Sequence, residues 1–315
     1  MVSRALGGSS TIKLMKRYRV LYVFLLPSFI AVLLFQYRPF TWIVMAFQDF
    51  DFLKLYAGEP SPWVGLKHFI DFVTGTEFIR LMRNTLAING LSILIGFPMP
   101  IIFALLINEV KNRAFKKTIQ TITYLPHFLS WVVISGLFYS LLDQSTGLVN
   151  KIIESLGGTS VAFLREPDMF WPLIISTAIW KEIGWSSIIY LAALSSIDDT
   201  LYEAAKIDGA NRLQEVWHIS LPGLLPTISV ILIMTTGRIL TGGGLIPDFE
   251  AVFNMGNPML QETSETIAIH VYYRGVMGAR YSYATAVGLF QSVIAFVFVF
   301  GSNYLSKTLK GYGVI

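Results

Sequence analysis

The 315-residue chain is 54% hydrophobic and only 14% charged, with no cysteine and a mean hydropathy of +0.59. Soluble domains carry about 25% charged residues, so a soluble fold is excluded, and 23 Phe, 14 Tyr and 7 Trp exclude a disordered chain. The missing cysteine removes a disulfide scaffold, a zinc ribbon and a thiol nucleophile, and the net charge of +4 must be located before it is assigned to any partner.

A spanning helix needs about 20 mostly apolar residues. Six stretches meet that need: 20–47, interrupted by Arg38-Pro39; 86–107, uncharged; 119–142, with only His127 titratable; 169–194, with the adjacent pair Lys181 and Glu182; 219–237; and 283–305. Lys16, Arg17 and Arg19 precede the first stretch, but no small-x-small cleavage site follows it, so it reads as a retained helix rather than a signal peptide. With the N-terminus placed in the cytoplasm, the inner segments 1–19, 108–118, 195–218 and 306–315 hold 13 Lys and Arg, against nine in the longer outer segments. The short run Lys111, Arg113, Lys116 and Lys117 carries most weight, because short loops obey the positive-inside rule best. The expected fold is therefore an all-α membrane protein of six transmembrane helices with both termini cytoplasmic, a tail at 1–19 and one transmembrane domain at 20–315. Positive charge here marks topology, and no nucleic acid is expected.

The segment 198–222, between the fourth and fifth spans, is too polar to cross. Residues 201–207 read as a short helix with Asp198, Asp199 and Thr200 as capping candidates. Asp208-Gly209 breaks it, Asn211 caps a second piece over 212–218, and Pro222 starts the fifth span where proline is tolerated. The loop offers the cytoplasm an acidic Glu203, the small Ala204 and Ala205, and a tight turn. Read by itself it is equally a docking element for a partner or a capped loop lying on the membrane.

This segment resembles the cytoplasmic coupling loop of permease subunits from binding-protein-dependent ABC importers. That family's pattern, E-A-A, three residues, G, then about nine residues to I-x-L-P, is met by Glu203, Ala204, Ala205, Gly209, Ile219, Leu221 and Pro222, with Asp208 and Ala210 as in carbohydrate importers. The run from Tyr124 through Pro126 and His127 to Trp131 is similar to the oligosaccharide and polysaccharide branch. So are Trp180-Lys181-Glu182-Ile183-Gly184, the segment from Val252 through Asn254 and Asn257 to Pro258, Tyr281 to Ala286, and Lys310-Gly311-Tyr312-Gly313. Gly242-Gly243-Gly244 has no place in that pattern, reads as a flexible outer turn, and lacks the Lys-Ser/Thr of a phosphate loop. The chain has no nucleotide motif, so it is not expected to be an enzyme. The resemblance implies a second permease subunit, two cytoplasmic ATPase subunits carrying ATP and Mg, and an external solute-binding protein delivering an oligosaccharide. It also implies a bacterial inner-membrane location and alternating access driven through Glu203, Ala204, Ala205, Asp208, Gly209, Leu221 and Pro222.

Ionisable groups inside a span usually face a cavity, which singles out Lys181 and Glu182. Adjacent residues point about 100° apart on a helix, so the two are not expected to face one narrow pore. Lys181 and Arg38 would suit an acidic sugar, although Lys181 is equally neutralised by Glu182 or by a partner. Trp180, Trp185, Trp131, Tyr139 and Gln291 offer aromatic faces and an amide at useful depths, with packing or interface anchoring as the competing account for each aromatic. His127 reads as a hydrogen-bonded structural residue at the Pro126 kink, with a proton relay as the lesser alternative because no membrane carboxylate accompanies it at helical spacing. The stripe Thr285, Gly288, Ser292, Ala295 and Ser302 reads as a helix-packing seam. In the outer segment 238–282, which includes Arg238, Asp248 and Glu250, Asn254, Asn257 and Arg274 are candidate contacts for the binding protein, with a solvated loop as the alternative. Its length argues for ordered structure. A secondary sugar carrier driven by an ion gradient is the competing function, but it would need intramembrane carboxylates beyond Glu182 and would leave 198–222 without a purpose. The four histidines show no metal-ligand pattern, so no metal is expected.

Overall fold

A computed structural model gives the structure of residue 13 and residues 16–310; residues 1–11 and the Gly311-Tyr312-Gly313 motif lie outside the described residues. Among the described residues the chain is helical, with no strand and two isolated bridges, Gln48–Trp63 and Gly243–Ile246. In chain order the main helices are α1 (Arg19–Phe47), α2 (Phe78–Asn108), α3 (Arg113–Phe128), α4 (Trp131–Leu142), α5 (Pro167–Leu194), α6 (Asp199–Ile207), α7 (Arg212–Thr236), α8 (Phe249–Met255), α9 (267–277) and α10 (Tyr281–Thr308). Four of them, α1, α2, α7 and α10, are long and apolar enough to cross a membrane, and the α3–α4 pair makes five if counted as one span.

The stretch 119–142 is sharply bent: α3 and α4 meet at 103°. Pro126 cannot donate an N–H to the helix, and the Ser130 hydroxyl accepts from the Val133 N–H at 3.4 Å, so a new helix starts at Trp131. The Arg113–Tyr124 part of α3 carries Arg113, Lys116 and Lys117 and buries none of its residues. The fifth stretch also begins earlier than expected. Asn211 and Gln214 form a reciprocal capping box, and α7 then runs on from Arg212 through a widened turn at Val216–Ser220 that absorbs the missing N–H of Pro222.

α5 is the axis of the bundle. Its 28 residues, about 42 Å at 1.5 Å each, pack against α2, α3, α7 and α8. Two apolar clusters lie along it. Phe170, Ile174, Ile175 and Ala178 meet Trp131, Ile134, Val252 and Met255 towards one end, while Tyr190 and Leu194 meet Phe97, Ile101, Ala104 and Leu224 towards the other. Lys181, Glu182, Gly184 and Ser187 lie between them, all buried. Gly184 lets α3 cross closely, because a Cβ there would overlap the Thr123 carbonyl oxygen. α10 packs on α7, α9 and the end of α1, and the Thr236 and Ser302 hydroxyls meet at 2.8 Å. By contrast, residues Arg19–Val32 of α1 bury nothing against the rest of the chain.

Candidate functional site

Two interruptions of helical backbone converge beside the middle of α5. The first is the α3–α4 junction. The Lys181 ammonium donates to the His127 carbonyl at 2.5 Å, and the Glu182 carboxylate lies 2.9 Å from His127 Nδ1 and 3.5 Å from Lys181 Nζ. The His127 ring stacks on Trp185 at 4.3 Å with planes 2° apart. A carbonyl freed at a helix break needs a donor inside a membrane, and here a buried cation supplies it. His127 thus has a carboxylate partner after all, brought from another helix rather than from its own turn.

The second interruption is residues 237–248, where α7 stops and α8 has not begun. Asn89, in the middle of α2, donates to the Ile239 carbonyl at 2.7 Å, and Gln291, near the middle of α10, donates to the Leu240 carbonyl at 3.1 Å. These two bonds put the turn level with the centres of its neighbours, not at the outer surface that the sequence pattern suggested for Gly242-Gly243-Gly244. All three glycines have positive φ, at 77°, 117° and 69°. At Gly242 space is decisive as well, since a Cβ would stand 2.4 Å from the Pro247 oxygen. The Gly243 N–H closes the turn on the Ile246 carbonyl at 2.8 Å.

Two cavities open between these interruptions. One, of about 240 Å³, is lined by Ser130, Trp131, Lys181, Glu182, Asp248 and Glu250 among others. The other, of about 270 Å³, is lined by Trp185, Ser186, Tyr190, Thr235, Arg238 and Gly243 among others. Gly244 borders both. Lys181 and Glu182 therefore do face one cavity, although they are adjacent in sequence, because the cavity lies across the angle between them. Carboxylates, cations and hydroxyls beside indole rings form a surface able to hydrogen-bond sugar hydroxyls and stack on their apolar faces.

Of the candidate path residues, Lys181, Trp131 and Trp185 come together here, and Lys181 stands 6.0 Å above the Trp131 ring. Gln291 is buried and its amide nitrogen is engaged by the backbone. Trp180 packs edge-on against Phe138, and the Tyr139 hydroxyl donates to the Met255 carbonyl at 3.3 Å in a separate pocket with Arg165 and Asn257. Arg38, on α1, lies apart from both cavities. Asn89 escaped sequence reading, although a lone amide within an apolar run is the same signal that drew attention to Gln291.

At the end of the bundle bearing 249–280, Asn254 donates to the Glu250 carbonyl and Asn257 to the Leu164 carbonyl, each at 2.8 Å, while Arg274 lies 3.2 Å from Glu77. Arg80 and His270 join Glu77 and Glu265 into one network, and a hydrogen bond from His270 holds the Glu265 carboxyl below the usual carboxylate range despite its burial. At the opposite end, Asp198 caps α6 by accepting the Thr200 N–H at 2.9 Å, a bond that lowers its own pKa. Glu203, Ala204, Asp208 and Gly209 are exposed there beside Leu201, Ile207, Leu213 and Trp217, and Gly209 turns the chain at φ 78°. Leu221 and Pro222 follow at the start of the apolar part of α7.

Residues 96–311 match the model of the binding-protein-dependent transport system inner membrane component. The chain belongs to this family of permeases. As such it is a multi-pass membrane protein and not an enzyme, and ATP hydrolysis belongs to a separate subunit. The permease is 40% identical to protein LplB of Bacillus subtilis (strain 168) over 98% of its own length and 94% of that protein. It is 43% identical to the polygalacturonan/rhamnogalacturonan transport system permease protein YteP of the same organism, covering 96% and 92% of the two chains. Its fold matches, with a TM-score of 0.85 and 42% identity, a chain of a bacterial ABC transporter that imports the acidic polysaccharide alginate, covering 95% of this chain and 99% of that one. A second structure of an alginate transporter, in complex with an alginate pentasaccharide-bound periplasmic protein, gives the same TM-score at 43% identity, with 96% and 99% covered.

Proposed function

We propose that this permease is one of two transmembrane subunits of an ATP-driven importer for an acidic oligosaccharide in the bacterial inner membrane. An external solute-binding protein delivers the cargo at the 249–280 end, and two ATPase subunits carrying ATP and Mg work at the 198–222 end, on the cytoplasmic side with both termini. The observation that carries this reading is the polar layer itself. Two cavities flank a pair of broken helices at mid-depth, where a transporter needs its site if either end is to open in turn. Counting α5 and the bent α3–α4 pair gives six crossings. The exposed apolar stretch Arg19–Val32 of α1 supports a second permease, since a stretch that buries nothing in its own chain is free to lie against a partner or lipid. The substrates named for the relatives support an acidic oligosaccharide.

Glu203 pairs in this reading with a basic residue of the ATPase, and Gly209 permits the turn that seats the coupling helix. Co-purification of the importer with Glu203→Ala or Gly209→Val in the permease tests it: ATPase association and ATP-driven uptake both fall. Uptake that persists in Gly209→Val sinks the coupling assignment. Uptake abolished by collapsing the proton gradient at intact ATP would instead favour a secondary carrier.

A further inference from the structure

Arg238 sits two residues past the end of α7, on the turn held at mid-depth by Asn89 and Gln291. Among the described residues its guanidinium has neither an ion-pair partner nor a hydrogen bond, yet it borders the cavity that also holds Trp185 and Tyr190. The other cation of this layer is committed: Lys181 is bound by the His127 carbonyl and Glu182. Arg238 is exposed rather than buried, and an unpaired guanidinium open to a cavity is available to an anion supplied from outside the chain. One further feature favours a ligand. Gly243 keeps the space beside the guanidinium clear, for a Cβ there would stand 3.4 Å from Nη1.

The neighbouring cavity has the opposite character. Glu182, Asp248 and Glu250 outnumber Lys181 there, which suits donating hydroxyls and repels a carboxylate. Gly244 borders both, and a ligand lying across them has its charged group directed to the Arg238 side.

We propose that Arg238 reads the charge of the cargo, taking a sugar carboxylate through paired guanidinium hydrogen bonds while Trp185 offers an apolar face to the ring. This rests on the reading of the chain as an oligosaccharide permease. The complete importer without its binding protein, in nanodiscs, is titrated with an oligogalacturonate and with the same oligomer whose carboxyls have been reduced to alcohols, following tryptophan fluorescence. Wild type binds the acidic oligomer roughly tenfold more tightly, a preference of the size one charged hydrogen bond provides. Arg238→Gln abolishes the preference, and Arg238→Lys keeps part of it at the same melting temperature. A preference that survives Arg238→Gln, equal loss in Gln and Lys, or no preference in wild type overturns the proposal. Binding of neither oligomer overturns it too, and wild-type ATP-driven uptake with the binding protein present then tells whether the oligosaccharide reading falls with it.

Discussion

At the α3–α4 junction the interrupted backbone is held by charges, whereas at the 237–248 turn it is held by neutral amides. Lys181 and Glu182 grip His127 from both sides of its residue, carbonyl and ring. Asn89 and Gln291 each take one carbonyl of the other turn and leave its cation, Arg238, unclaimed. The difference teaches that an intramembrane charge is not by itself a cargo contact. What its nearest acceptor is decides whether it clamps the fold or remains available.

The contrast can be broken most severely at Lys181. Lys181→Met leaves Glu182 buried without its cation, at a cost of about 3–5 kcal/mol, while Lys181→Met with Glu182→Leu recovers much of it. Thermal stability of the purified permease measures both, and equal losses in the single and double variants would show that the pair is no clamp. Next in size is Gly242→Ala on the second turn, which combines a positive φ with a Cβ pressed on the Pro247 carbonyl. Overpacking of that kind costs about 1–3 kcal/mol, and the same melting measurement checks it. The smallest effect sharpens the comparison: Gln291→Leu removes one amide bond in an apolar setting and costs about 1 kcal/mol or less. A Gln291→Leu loss as large as that of Lys181→Met would erase the distinction between the two interruptions.

Particular residues show what was legible beforehand. The cap at Asp198 and the turn at Asp208-Gly209 were readable because capping and turn chemistry are local, whereas Glu203 was singled out by the loop's resemblance; Glu203 is exposed on the short capped helix. Gln291 was visible as a mid-span amide, but its acceptor, 51 residues away in the chain, was not. Arg238 was assigned to an outer segment because hydropathy ends a span at the last apolar residue, even where the chain turns back at mid-depth. Tyr139 and Trp180 look equivalent to Trp131 and Trp185 in sequence, and only packing separates them.

Composition and spacing alone determined the membrane as solvent, the apolar stretches and the polar loop between the fourth and fifth of them, because hydropathy, capping and turn preferences act over a few residues. The tertiary structure alone decided that the third stretch bends by 103°, that Lys181 is engaged and Arg238 free, and that Gly244 borders two cavities. Those facts depend on which distant carbonyls and carboxylates arrive within about 3 Å of each polar group, the range at which a hydrogen bond forms, and neighbours in the chain do not fix such arrivals.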